Sequence, residues 1–164
     1  MFPLLRLEDF HKYLRLRAHT KHNSVVCDLL SDNNSESMRP RSILVVDDDD
    51  NLVYTLSLFL RSAGCEVFTA YNGAEGCGQY SSHPTEFVVT DINMPEMDGF
   101  EMMRCIRSIN PKVKTIYVTG AFEEFQGNRK FNRGERDAVI LPKPYSTRNI
   151  LELMCEDFDE TPAA

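Results

Sequence analysis

The chain has few features that would place it in a well-marked class, and each absence excludes something. Its five cysteines, at positions 27, 65, 77, 105 and 155, form no C-x-x-C pair and show no metal-ligand spacing. An odd, scattered set argues against a disulfide framework or zinc site. It reads as reduced thiols in a cytoplasmic protein, with Cys65 and Cys105 as small core residues. No apolar run approaches the roughly 18 residues of a membrane span. Arg6, Glu8 and Asp9 interrupt the apolar residues at the N-terminus, so no signal-peptide core is present. There is no internal repeat and no G-x-G-x-x-G, which removes the glycine fingerprint of dinucleotide binding. Basic residues are outnumbered, 18 Lys and Arg against 25 Asp and Glu, for a net charge of −7. That balance argues against direct nucleic-acid binding through a general basic surface.

What remains is enough for a core: 42% of the 164 residues are apolar. The acidity is local, because residues 1–39 are nearly balanced and the excess lies beyond them. Residues 1–37 read as an extension. Leu7, Phe10 and Leu14 fall at helical spacing among Arg15, Arg17 and Lys21, the pattern of a short amphipathic helix, and Ser31 to Ser37 (SDNNSES) is a polar linker. A chain starting at Met38 would still contain the domain, so 1–37 is expected to be dispensable or untranslated. The domain itself is expected over 38–158. Residues 159–164 form a tail with no room for an output domain.

Five short apolar runs alternate with helical patterns. Ser42–Val46 (SILVV) is continuously apolar, as in a sheet buried on both faces. Four acids follow, and then Leu52, Leu56, Phe59, Leu60 and Ala63 repeat at helical spacing until Gly64. Glu66–Ala70 is a second strand, with a glycine-weakened helix over Ala74–Tyr80. Phe87–Asp91 is a third strand, followed by a helix over Phe100–Ile109 with Met102 or Met103, Ile106 and Ile109 as its inner stripe. Thr115–Val118 is a fourth strand, and 122–132 a doubtful helix. Val139–Leu141 is a fifth strand, which Pro142 permits only at a sheet edge. Ser146 is placed to cap a last helix carrying Ile150, Leu151, Met154 and Phe158. Strands alternating with helices give a doubly wound α/β fold with a parallel sheet, right-handed crossovers and helices on both faces.

In such a sheet every C-terminal strand end lies on one edge. Asp47 and Asp48 end the first strand, Asp91 the third, Thr119 the fourth and Lys143 the fifth, so these residues are expected to converge. Three close carboxylates repel, and a hard divalent cation relieves the repulsion. The set suits Mg²⁺, with Asp48 and Asp91 as direct ligands, Asp47 holding a water, and the backbone carbonyl of Asn93 completing the protein's share. Lys143 brings a positive charge for a phosphate and Thr119 a hydroxyl donor. Asp91 then reads as the nucleophile that accepts a phosphoryl group. Asp49, Asp50 and Asp98 read as helix-start and turn acids outside this chemistry. Lys143→Ala is expected to cripple the response and leave the fold intact.

With these residues in order, residues from about Arg41 to Met154 resemble the receiver domain of two-component response regulators. The matching pieces are ILVVDD (43–48), DINMPEMDG (91–99), VTG (118–120) and KP (143–144). The resemblance implies the flavodoxin-like strand order 2-1-3-4-5, Mg²⁺ at the acidic pocket and a cis Lys143–Pro144 bond. It also implies a sensor histidine kinase or phosphotransfer protein as donor to Asp91. Ile140 departs from the pattern, standing where the family usually carries a Tyr or Phe that turns inward on phosphorylation. Residues 126–134 are polar and glycine-containing where an Ala-rich helix is usual. Asn93 and Ala121 occupy the two variable positions that flank the phosphate in the family. The output is expected to be contact with a downstream protein.

Three functions compete. The first is a phosphorylation switch or relay that phosphorylates and dephosphorylates itself at most, with no turnover of an external substrate. The second is a constitutive interaction module that keeps the pocket but no longer switches. The third is a Mg²⁺-dependent phosphatase with an Asp nucleophile. It would need D-x-D-x-[T/V] after the first strand, and the fifth position from Asp47 is Asn51.

Overall fold

The computed structural model describes residues 41–121 and 138–155. The chain divides into two units, 1–39 and 40–164, and every described residue belongs to the second. The expected N-terminal helix, the doubtful helix over 122–132, Phe158 and the tail lie outside the described residues.

Five strands are present: β1 (Ser42–Val46), β2 (Glu66–Ala70), β3 (Phe87–Asp91), β4 (Lys114–Thr119) and β5 (Ala138–Pro142). They form one parallel sheet in the order β2-β1-β3-β4-β5. The order follows from the residues. β1, β3 and β4 are β-branched and apolar along nearly their whole length, which suits strands with neighbours on both sides and helices on both faces. β5 lies at the edge, where Pro142 does no harm to the ladder.

Four helices are described: α1 (Asp50–Ser62), α2 (Gly73–Ser82), α3 (Gly99–Ile109) and α4 (Thr147–Cys155). α2 and α3 cover one face. Tyr80, Met102, Met103 and Ile106 pack there on Leu44, Val46, Val88 and Tyr117. Neighbouring strand residues point the other way, so Ile43 and Val45 serve the opposite layer, where α1 packs against α4. No helix among the described residues is long and apolar enough to cross a membrane.

The inner face of α1 differs from the expected stripe. Val53, Leu56, Ser57 and Leu60 are buried, whereas Leu52, Phe59 and Ala63 are only half-buried. The face is set by a Ser whose hydroxyl donates to the Tyr54 carbonyl and so needs no water. Ile109 is exposed because α3 ends on it. Cys65 and Cys105 are half-buried rather than core.

Three glycines are fixed by close approach, Gly73 among them, against the carbonyl oxygen of Met97. A Cβ at Gly76 would collide with the Met102 thioether, and one at Gly99 with the carbonyl oxygen of Asp91. Backbone cannot yield as a flexible side chain can, so Gly99→Ala is expected to destabilise the domain by about 1–3 kcal/mol. Gly78, on the same α2 as Gly76, has open space beyond its Cα. Gly78→Ala is expected to stabilise by roughly 0.5–1 kcal/mol through helix propensity. Urea unfolding of the two variants checks the contrast.

Candidate functional site

The C-terminal edge of the sheet collects the residues that the strand ends predict. Strands β1 and β3 are in direct register, Val46 opposite Thr90, so Asp47 and Asp91 emerge side by side. Asp47 is 2% exposed and Asp91 7%. Asp48, one residue further on, is exposed. Carboxylate oxygens of Asp47, Asp48 and Asp91 all lie within 4.8 Å of one another.

The chain beyond Asp47 is shaped by capping. Asp49 is the N-cap of α1, its carboxylate accepting from the N–H groups of Asn51 and Leu52. Asp50 lies in the first turn, where negative charge suits the helix dipole. Both acids are thus used by the helix, as their position suggests. The Asp49 N–H donates to Asp47 Oδ1 at 2.9 Å, which fixes the Asp47 carboxylate from behind.

Lys143 answers the carboxylates. Its Nζ is 2.9 Å from Asp47 Oδ2 and 3.4 Å from Asp91 Oδ2. The lysine is held by its backbone, whose N–H donates to the Thr119 carbonyl at 2.8 Å, and it is joined to Pro144 by a cis bond. Burial alone would lower the Lys143 pKa. The hydrogen bond and charge of Asp47, with those of Asp91, outweigh it and hold the ammonium above its ordinary value. The Asp91 pKa is raised too, which for a carboxylate disfavours the charged form. Burial raises its pKa, Lys143 opposes this, and the Asp47 charge adds to the rise. Its Oδ1 is buried without a hydrogen-bond partner.

Thr119 is fully buried at the end of β4. Its Oγ1 accepts from the Ala121 N–H at 3.0 Å and lies 3.5 Å from the Asn93 amide nitrogen. With acceptor positions taken, the hydroxyl proton is left to donate. Asn93 is exposed on the loop between β3 and α3. That loop folds back on the strand through the Gly99 N–H, which donates to the Ile92 carbonyl at 2.9 Å. Glu96 adopts a left-handed φ of 66° within it. Asp98, read as a turn acid, is the N-cap of α3, in a reciprocal capping box with Glu101.

One neighbour of the site is missed by strand-end reasoning. Tyr145 follows the Lys-Pro pair, and its hydroxyl is buried without a partner. Burial pushes its pKa up, and the charges of Asp47 and Asp91 push it further. The only signal in the sequence is adjacency to Lys143.

The buried, unpartnered Asp91 oxygen and the cluster of three acids fit a hard divalent cation, whose donors are oxygens. A lysine and a hydroxyl donor beside them suit an anion with several oxygens.

Comparison with known proteins agrees. The model of the response regulator receiver domain matches residues 43–154. The chain is 34% identical over 111 residues to the response regulator receiver protein CpdR of Brucella abortus (strain 2308), across 68% of this chain and 91% of that protein. It is 37% identical over 83 residues to the transcriptional regulatory protein GlrR of Escherichia coli (strain K12), across 51% of this chain and 19% of GlrR. The crystal structure of a CheY-like receiver domain protein from Methanospirillum hungatei JF-1 superposes with a TM-score of 0.66 at 30% identity, covering 74% of this chain and 96% of that one. Receiver domains bind Mg²⁺ at an acidic Asp cluster and interact with histidine kinases or phosphotransfer proteins, and a cluster of that kind is present here. Sheet order, strand-end residues and sequence similarity agree that the chain belongs to the response regulator receiver domain family of two-component signalling.

Proposed function

We propose that this chain is a phosphorylation switch or relay in which Asp91 accepts a phosphoryl group from a histidine kinase or phosphotransfer protein in the cytoplasm. The observation that carries the reading is the pairing of an unpartnered, buried Asp91 oxygen with Lys143, 3.4 Å from the other oxygen of the same carboxylate. One carboxylate oxygen attacks phosphorus, the bond from phosphorus to the donor nitrogen breaks, and the donor imidazole, protonated from solvent on its other nitrogen, leaves as the neutral ring. Asp47, Asp48, Asp91 and the Asn93 carbonyl would hold Mg²⁺, which supplies positive charge to the phosphoryl oxygens. Lys143 balances the remaining negative charge, and the spare proton of Thr119 donates to a phosphoryl oxygen. The output is a changed affinity for a downstream protein, with no direct role for nucleic acid.

A second reading has one observation in its favour. Ile140, in register with Tyr117, is half-buried against the core and cannot act as a rotating aromatic. A constitutive interaction module would keep the pocket and ignore phosphate. A phosphatase fits less well, because Asn51 stands where the motif of such enzymes needs Thr or Val.

Incubation with Mg²⁺ and acetyl phosphate is expected to add one phosphoryl group by intact mass, and EDTA to prevent it. Failure with every small-molecule and protein donor would leave the constitutive module. The acidic cluster also predicts that saturating Mg²⁺ stabilises the protein by about 1–3 kcal/mol at ten to a hundred times its Kd. Asp48→Ala, at an exposed position, should remove most of that gain and little of the basal stability, as read by circular dichroism melts.

A further inference from the structure

A pair of thiols sits away from the phosphoryl pocket, between α2 and α3. Cys77 and Cys105 are 28 positions apart in sequence and on different helices. Three observations bring them together. The first is the Gly76–Met102 contact: a Cβ at Gly76 would strike the Met102 sulfur, so the two helices approach closely one residue before Cys77. In addition, the Cys77 thiol donates to the Met102 carbonyl at 3.7 Å. Met102 precedes Cys105 by three positions, and residues three apart share a helix face, so the Cys77 sulfur lies on the face that carries Cys105. Finally, the Cys105 thiol is near enough to act on Cys77. Both side chains are half-buried, so each remains within reach of solvent.

We infer that Cys77 and Cys105 form a redox-active dithiol, which a low-molecular-weight disulfide such as oxidised glutathione converts to an intramolecular disulfide joining α2 to α3. The Cys105 thiolate attacks one sulfur of the oxidised glutathione and forms a mixed disulfide, and the first glutathione leaves as a thiolate. Cys77 then gives its proton to solvent and attacks the Cys105 sulfur. The Cys105–glutathione bond breaks and the second glutathione leaves. The protein pair is oxidised by two electrons, and one glutathione disulfide is reduced to two thiols.

Cys77 sets the pace of the second step. Its pKa is pushed up to about 12, first by burial and then by the neighbouring Cys105 thiol. Closure is therefore slow at neutral pH and faster at pH 9, because only the thiolate attacks.

The test uses the full reduced chain, treated with oxidised glutathione at pH 7 and pH 9, alkylated and digested, with disulfides mapped by mass spectrometry. The expected product is a Cys77–Cys105 linkage lighter by two hydrogens, formed faster at pH 9 and reversed by dithiothreitol. Cys27, Cys65 and Cys155 serve as internal controls and should not join either residue in quantity. In Cys77→Ser, Cys105 should stop at the mixed disulfide. A mixed disulfide on wild-type Cys105 that persists at pH 9 would overturn the inference. So would linkage to any of the other three cysteines as the main product, or the same linkage pattern in guanidinium, where no fold brings the thiols together. The readout is independent of phosphorylation, so its failure leaves the proposed function untouched.

Discussion

Lys143→Ala is expected to lower the melting temperature in EDTA by roughly 6–12 °C, and to recover most of that loss when Mg²⁺ is added. The lysine sits 2.9 Å from a carboxylate that is almost fully buried and 3.4 Å from a second. Removing one partner of a buried ion pair leaves charge without compensation, at about 3–5 kcal/mol. Lys143 is itself 28% exposed, and solvent screening reduces that to about 2–3 kcal/mol. A divalent cation restores the missing positive charge at the same carboxylates. The deficit holds across neutral pH. A raised lysine pKa contributes stability that is complete below the unfolded value and is lost only as the pH climbs through the folded one. The chain contains no Trp, so circular dichroism is the direct probe. An equal loss with and without Mg²⁺, or no loss in either, would show that Lys143 is not the counter-charge of this cluster.

Asp91→Asn is expected to abolish the phosphoryl adduct and, in the absence of metal, to make the protein more stable. Burial raises the Asp91 pKa in the fold, so on raising the pH the unfolded chain ionises first. Stability is then lost as the pH climbs from the unfolded value, about 3.9, up to the folded one, and the loss persists above it. Asparagine carries no charge and no such loss. The gain should be near zero around pH 4 and grow toward neutrality, read as a higher Tm than that of the wild type. Lys143 keeps its 2.9 Å bond to Asp47 in this variant, so the counter-charge is not stranded. Acetyl phosphate labelling and melts at several pH values measure both halves. An adduct that survives would place the acceptor elsewhere, and a lower Tm in EDTA would mean that the carboxylate contributes more through bonding than it costs through burial.

The strand ends were legible because they obey a rule of topology. Apolar runs stop where polar residues begin, and parallel strands bring those stops to one edge, so Asp47, Asp91, Thr119 and Lys143 can be gathered from sequence alone. The orientation of α1 was not legible in the same way. Apolar residues at 52, 53, 56, 59 and 60 admit two overlapping stripes, and the packing against α4 and the sheet chose the one through Val53 and Ser57. Periodicity weights a serine as polar, yet its hydroxyl is satisfied within the helix. Tyr145 was missed for a related reason: a ring that buries its body carries its hydroxyl inward, and nothing in its spacing marks it. The α2 glycines read as weakness, whereas Gly76 is required by the approach of Met102.

The position of Pro142 has a consequence for association between molecules. The Lys143 N–H points inward to the Thr119 carbonyl, so the alternation of a strand turns the Pro142 nitrogen outward. There it carries no hydrogen. A second strand that tried to extend the sheet alongside β5 would meet a missing donor at the end nearest the acidic pocket. The outer rim of the sheet is thus blunted against edge-to-edge growth at the end beside the acidic cluster.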